Sequence, residues 1–191
     1  MVTTRGNKQA LRLEFLKLRE TLAPDQIHQL SLEVQQRVLT LADFQQAESV
    51  ALYYPFRSEV ETLEILAMAI SQGKKVFFPK VSGQALHYIK VTQPFSFQPG
   101  PWGLSEPPEN EEAPLSHLDL IIIPGVAFDH QGYRIGFGKG YYDRSLKEFH
   151  GCRVGLAYDF QIVPQVPTEP GDLYCHYVVS ENHTLGRFHH D

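Results

Sequence analysis

LDLIIIPG, Leu118 to Gly125, is the stretch whose reading decides the fold. Leu120, Ile121, Ile122 and Ile123 follow one another with no polar residue between them. A strand with one wet face alternates apolar and polar side chains, whereas a strand covered on both faces reads as a continuous apolar run. This segment is therefore expected inside a sheet with a layer on each side, ending at Pro124 and Gly125.

Working outward from it, the same logic divides most of the chain. SVALYY (49–54) is a short strand-forming run stopped by Pro55, and TLEILAMAISQGK (62–74) is amphipathic at helical spacing, with Gly73 as a natural C-terminal stop. KVFFP (75–79), ALHYIKV (85–91), RVGLAY (153–158) and HYVVS (176–180) are further strands, and YYDRSLKEF (141–149) is a short helix. Strands alternating with helices predict an α/β fold with a mainly parallel sheet flanked by helices. Ahead of this body, residues 7–22 place Leu11, Phe15, Leu18 and Leu22 at helical spacing, with Asn7 as N-cap. A second helix after Pro24 carries Ile27, Leu30, Val34, Val38 and Leu41 on one face. The expected organisation is one domain over 1–191, with an N-terminal helical arm (1–45) and an α/β body (46–191). A loop dense in proline and glycine (93–114) interrupts the body, and loops of that length are often functional.

The 191 residues are 42% hydrophobic and 20% charged, with net charge −5 and a pI near 6.0. That suits a globular protein with a sizeable core and gives no overall field for nucleic acid. A small anionic ligand would need a local basic pocket. Two cysteines, Cys152 and Cys175, make neither a disulfide framework nor a metal cage and are read as thiols of a reducing compartment. The polar N-terminus lacks the apolar core of a signal peptide, and no apolar run reaches membrane-spanning length. The expected location is cytoplasmic, with no membrane partner. Nine histidines occur, including His189 and His190 beside Asp191, but a terminal tail is read as mobile rather than metal-binding.

Shortly beyond the apolar run lies RIGFGKGYYDR, Arg134 to Arg144. In open α/β sheets ligands sit outside the carboxyl ends of the strands, and this stretch follows such an end. It is neither a P-loop, since Gly140 stands where Ser or Thr is needed, nor a dinucleotide fingerprint, since Tyr141 occupies the third glycine slot. Gly136, Gly138 and Gly140 can still bring successive N–H groups together as an anion nest, with Lys139 and Arg134 adding full charges and a helix starting near Tyr141 adding its dipole. Asp143 beside such a site makes sense if Mg²⁺ bridges it to phosphate. The plainer reading is a glycine-rich hairpin tip with packed tyrosines and Asp143 favouring a helix start. Both readings stand on these residues alone.

PGVAFDHQGYRIGFGKGYYDR, Pro124 to Arg144, resembles the signature of the 5-formyltetrahydrofolate cyclo-ligase (methenyltetrahydrofolate synthetase) family. KQALR (8–12), SEVET (58–62), PWGLSEP (101–107) and VPTEPGDLYCHYVVS (166–180) resemble its other segments, so the likeness covers most of the chain. Phe137 departs from the Arg or Tyr more usual at that position. The resemblance implies a fold similar to the sugar-phosphate isomerase and CoA-transferase type. It also implies ring closure of 5-formyltetrahydrofolate to 5,10-methenyltetrahydrofolate, with ATP as co-substrate, Mg²⁺ as cofactor, and ADP and phosphate released. No macromolecular partner is implied beyond a monomer or small homo-oligomer.

By resemblance, ATP contacts fall on Lys8, Arg12, Arg134, Ile135, Gly136, Phe137, Gly138, Lys139, Gly140, Tyr141 and Tyr142. The folate would meet Tyr54, Glu59, Trp102 and the overlapping Phe137, Gly138, Lys139, Gly140 and Tyr141. Lys139 is the expected cation on the moving phosphoryl group, with Arg134 and Tyr141 in support, and Asp143 and Asp172 the expected Mg²⁺ ligands. Read without the family, Lys8 and Arg12 are a solvated i, i+4 pair. On the same terms Asp172 is a turn residue, Trp102 a packing residue, and Ser58 with Glu61 a capping box. Two other function classes fit the fold or pocket: an isomerase or CoA-transferase needing no nucleotide, and a folate- or nucleotide-binding module that does not consume ATP.

Overall fold

The computed structural model describes residues 4–91, 97–100, 105–108 and 111–188. In chain order, helices α1 (Thr4–Glu20), α2 (Pro24–Leu39) and α3 (Ala42–Gln46) precede strand β1 (Ser49–Ala51). Helix α4 (Leu63–Ser71) follows, then β2 (Lys75–Ser82), β3 (Ala85–Lys90), β4 (Gln98–Pro99), β5 (Ser105–Glu106) and β6 (Glu112–Ala113). The run that opened the reading is β7 (Leu120–Ile123). After it come β8 (Ala127–Asp129), β9 (Arg134–Ile135), α5 (Tyr141–Ser145), β10 (Cys152–Leu156), β11 (Ile162–Val163), β12 (Tyr177–Val179) and β13 (Thr184–Gly186).

Strand β7 lies near the middle of an eight-stranded sheet of order β13-β12-β10-β7-β1-β2-β3-β6. All four of its residues are buried, and the pleat divides them. Leu120 and Ile122 join the core formed with Val34, Val38, Phe44 and Ile65, on the side of α2, α3 and α4. Ile121 and Ile123 join Phe77, Phe128, Leu146, Phe149 and Val178 on the opposite side. Two apolar layers explain why the run has no polar alternation.

The five strands from β12 to β2 are parallel, and β13, β3 and β6 extend the sheet antiparallel at its edges. Gly83, with φ of 59°, makes the tight β2–β3 turn, so KVFFP and ALHYIKV form a hairpin rather than separate parallel strands. From β1 the chain moves one way to β2, whereas from β7 it moves the other way to β10 and β12. The carboxyl ends of β1 and β7 therefore flank a topological switch point, the place where such sheets open a ligand crevice.

The two helices expected as one arm pack in different places. Helix α2 lies on the main sheet with α4, burying Val34 and Val38. Helix α1 instead lays Phe15 against Val126, Ala127 and Ile135, beside a three-stranded sheet of order β11-β8-β9 that the sequence reading did not separate. It begins at Thr4, so Asn7 is inside the helix and not its N-cap. No helix among the described residues is long and apolar enough to cross a membrane.

Candidate active site

At the switch point a cleft of about 1010 Å³ is lined chiefly by α1, the segment after β1, residues 134–144 and the turn 169–172, with β2, β3, β5 and Pro124 completing its wall. That volume is at the upper end for a single small-molecule site, leaving room for more than one ligand.

Helix α1 contributes because its charged residues share one face. Lys8, Arg12, Phe15 and Arg19 stand at i, i+4, i+7 and i+11, a single stripe of a 3.6-residue helix. Phe15 is buried against the small sheet, which turns Lys8 and Arg12 toward the cleft and Arg19 into the interior. Lys8 is ion-paired with Asp172 and, at 3.6 Å, with Glu169. Arg12 donates from Nε to the Gly136 carbonyl at 2.7 Å, and burial holds its pKa below the ordinary arginine value. The solvated-stripe reading thus describes Lys17, which is exposed, but not Lys8, Arg12 or Arg19.

The glycine stretch is not a hairpin tip. The turn is made upstream, where the buried Asp129 carboxylate accepts N–H bonds from Gln131 and Tyr133 at 2.9 Å and from Val166 at 3.0 Å. The first two donors fix the hairpin that leads into the site and the third ties it to the segment after β11, and no sequence expectation pointed to this residue. Arg134 and Ile135 are strand residues of β9, and the loop proper is 136–140. Gly138 and Gly140 adopt φ of 95° and 64°, whereas Gly136 does not need a positive φ. At Gly138 a Cβ would also come within 3.2 Å of Arg12 Cζ, so the loop and the helix cation approach because no side chain intervenes. Lys139 is exposed on this loop and lines the cleft, with Tyr141 and Tyr142 behind it in α5.

Asp143 does not point freely into the cleft. Its Oδ1 lies 3.1 Å from Arg134 Nη2 and accepts the Leu173 N–H at 3.2 Å, while Arg134 Nη1 donates to the Leu173 carbonyl at 3.3 Å. The pair therefore clamps the residue next to Asp172. Asp172 in turn closes its own turn, its Oδ2 accepting the Glu169 N–H at 2.7 Å as well as the Lys8 ammonium. Among the described residues no group of three or more His, Cys, Asp or Glu side chains is arranged to hold a metal ion. Two cleft carboxylates, each with one oxygen engaged, do suit Mg²⁺, which commonly takes one or two protein carboxylates and fills its other positions with phosphate and water. Arg134 Nε and the Tyr88 hydroxyl are buried with no partner among the described residues, so the floor below the glycine loop keeps unsatisfied polar capacity.

At the other end, Glu59 lines the cleft although it is only 5% exposed. It accepts the Phe56 N–H at 2.9 Å, yet burial pushes its carboxyl up to about 7, against the opposing pull of Arg19 and the Phe56 bond. Tyr54, 38% exposed, sits on Phe97 with ring centroids 5.0 Å apart, and Phe137, 41% exposed, meets Phe56 edge-on at 6.2 Å. These rings and Glu59 give this end an apolar wall with one acceptor. The Ser58–Glu61 capping box is not formed: α4 starts at Leu63, Ser58 Oγ accepts from Arg19 at 3.4 Å, and Glu61 pairs with His28 at 2.8 Å. Trp102, His189 and His190 lie outside the described residues.

Every other expected site residue lines this one cleft: Lys8, Arg12, Tyr54, Glu59, the Arg134–Asp143 run and Asp172. An α/β domain that gathers cations, glycine backbone, carboxylates and aromatic rings at a switch point has the site of a small-molecule enzyme with anionic substrates. Comparison with known proteins makes this particular. The model of the 5-formyltetrahydrofolate cyclo-ligase family matches residues 4–181, and the chain belongs to that family of enzymes. A 5-formyltetrahydrofolate cyclo-ligase of Haemophilus influenzae is 35% identical over 174 residues, covering 87% of this chain and 93% of the relative. That of Mus musculus is 32% identical, covering 95% and 97%. The solved structure of Aquifex aeolicus 5,10-methenyltetrahydrofolate synthetase superposes with a TM-score of 0.86 at 35% identity, over 96% of this chain and 94% of that one.

Proposed function

We propose that this protein closes 5-formyltetrahydrofolate to 5,10-methenyltetrahydrofolate at the expense of ATP, with Mg²⁺, in the cleft at the switch point. The observation that carries the reading is the convergence of a cationic glycine loop and a buried carboxylate with aromatic neighbours in one cavity. A nucleotide triphosphate suits the first end and a flat, amine-bearing pterin the second.

The formyl oxygen on N5 of the folate is a poor leaving group. Its attack on the γ-phosphorus of ATP breaks the β–γ bridge, releases ADP and leaves the formyl oxygen phosphorylated with its carbon still bonded to N5. N10 then attacks the activated carbon, the C–O bond breaks to release phosphate, and the N10 proton leaves. The protein's work is to align oxygen, phosphorus and N10 and to balance charge. Lys139 neutralises charge on the transferring group, with the loop N–H groups, Arg12 and Lys8 on the remaining phosphates. Arg134 orders the phosphate floor through Asp143 and Leu173, and Tyr141 and Tyr142 wall the junction between the two ligands. Asp143 and Asp172 are the residues that would hold Mg²⁺, whose charge would offset that of the nucleotide. Glu59 accepts hydrogen bonds from the pterin edge, and Tyr54 and Phe137 cover its ring, with Trp102 as a further aromatic surface. The protein works on small molecules as a monomer or small homo-oligomer in the cytoplasm, without nucleic acid or membrane.

Incubation with 5-formyltetrahydrofolate and MgATP is expected to give the near-ultraviolet absorbance of methenyltetrahydrofolate, with ADP formed in equal amount. Binding of both ligands with no ATP consumed would identify a binding module instead. Product formed without nucleotide would overturn the phosphoryl route.

A further inference from the structure

Arg19 is 1% exposed, the most enclosed cation of the α1 stripe, and it does not line the cleft. Its polar contacts are few and long for so buried a guanidinium: Nε donates to Ser58 Oγ at 3.4 Å and Nη1 to the Gly125 carbonyl at 3.5 Å. Its Cζ lies 5.7 Å from the centroid of the Phe137 ring. One side chain thus touches the segment carrying Glu59, the end of β7, and the glycine loop. Burying a cation on two long neutral bonds is costly, and an apolar residue of the same length would serve packing better. The arrangement makes sense if the charge itself is used, and Glu59, the residue next to its Ser58 contact, is the buried carboxyl whose uptake of a proton that charge opposes.

We propose that Arg19 is the positioning residue of the folate end: its contacts with Ser58 and Phe137 hold the two walls on either side of Glu59, and its buried charge favours that carboxyl as an acceptor. This rests on the reading of Glu59 as the group that receives the pterin edge. The groups coupled to Glu59 are the Phe56 N–H that it accepts and, through their charges, Arg19 from α1, Tyr53 from the segment after β1 and Tyr142 from α5. Burial raises both phenols well above their ordinary value, so neither titrates where Glu59 does. Arg134 acts on Tyr142 and Tyr88, leaving Arg19 as the cation that opposes the upward shift of Glu59 among the described residues.

The test is the pH profile of the KM for 5-formyltetrahydrofolate, with the KM for ATP and the turnover number recorded alongside. In the wild type that KM is expected to rise as pH falls through about 7, where Glu59 takes up its proton. Deleting the opposite charge with Arg19→Gln lets the carboxyl keep its proton to higher pH, so the midpoint moves up by about one pH unit. At pH 7 a one-unit move lowers the ionised fraction, and raises this KM, roughly fivefold. Arg19→Met makes the same deletion with an apolar side chain should the glutamine variant not fold. Arg19→Lys keeps the charge but loses the fork, so the midpoint stays near the native one while the formylfolate KM rises and the ATP KM does not. Equal midpoint shifts in the lysine and methionine variants, or a lysine variant with native formylfolate KM, would overturn the proposal and leave Arg19 a packing residue. Glu59→Gln separates this failure from failure of the underlying reading. It should flatten the profile at a raised KM, and a native profile in that variant would show that Glu59 does not receive the folate.

Discussion

The sheet core and the cleft floor both bury their side chains, but they surround them in different ways. Ile122 on β7 is enclosed by Val34, Ile65, Leu120 and Val154, all apolar and none of them chemically indispensable. Glu59 is nearly as enclosed, yet the groups that act on its carboxyl are one backbone N–H and, through their charges, one arginine from 40 residues away and two phenols. In the core, stability is shared across a connected packing and is insensitive to pH. In the floor, single polar pairs join segments far apart in sequence, and each pair sets a charge as well as a position. Changes in the first region should therefore appear in unfolding measurements, and changes in the second in kinetics.

The largest expected effect breaks the core side. Ile122→Ala should lower unfolding free energy by about 4 kcal/mol, because the removed groups are fully buried and the sheet cannot collapse around the gap. Urea denaturation would measure it, and the folded fraction should keep native KM values for both substrates. A loss under about 1 kcal/mol would mean that β7 is not covered on both faces. The second effect, Lys139→Ala, belongs to the cleft. Turnover should fall on the order of 10²-fold, as when a donor to developing charge is removed. The unfolding midpoint should barely move, because the side chain is exposed on a loop. A native turnover number would remove Lys139 from the chemistry and leave the glycine backbone and Arg12 to balance charge alone.

The same contrast explains what could be read from the sequence. Strand β7 was legible because burial on both faces leaves an uninterrupted pattern, and β1, β10 and β12 followed from similar runs. Lys8, Arg12 and the glycine loop were legible as a set only with the family resemblance, since charge spacing alone also describes a wet helix face. Arg19 was missed for that reason, although counting 8, 12, 15 and 19 along one helical face with Phe15 would have placed it inward. Asp129 was missed because its partners are backbone N–H groups, which no residue type announces. The pairing of Arg134 with Asp143 depends on how Leu173 returns beside β9, a tertiary fact with no local signal. The Ser58–Glu61 box failed through competition: a local pattern was present, but Ser31 of α2 takes the Glu61 N–H at 2.9 Å, and Gln35 of the same helix serves the true start of α4.

That competition gives the smallest and most discriminating prediction. The first N–H groups of α4 need acceptors, because no preceding turn supplies them. Gln35 of α2 supplies its amide oxygen to Glu64 N at 2.9 Å and Ile65 N at 3.3 Å, while its Nε2 donates to the Ser31 carbonyl at 3.1 Å. Gln35→Ala leaves the buried Ile65 N–H and the half-buried Glu64 N–H without this acceptor and should cost about 1–2 kcal/mol by urea denaturation. Glu61→Gln removes only a partly exposed pair with His28, an interaction solvent screens, and should change stability by less than about 0.5 kcal/mol. A local capping box predicts the reverse order, because Glu61 would then close the helix and Gln35 would be one buried amide among others. Finding Glu61→Gln the more damaging of the two would restore the local reading. It would also detach the start of α4 from α2, and with it the account of how the segment carrying Glu59 is held against the sheet.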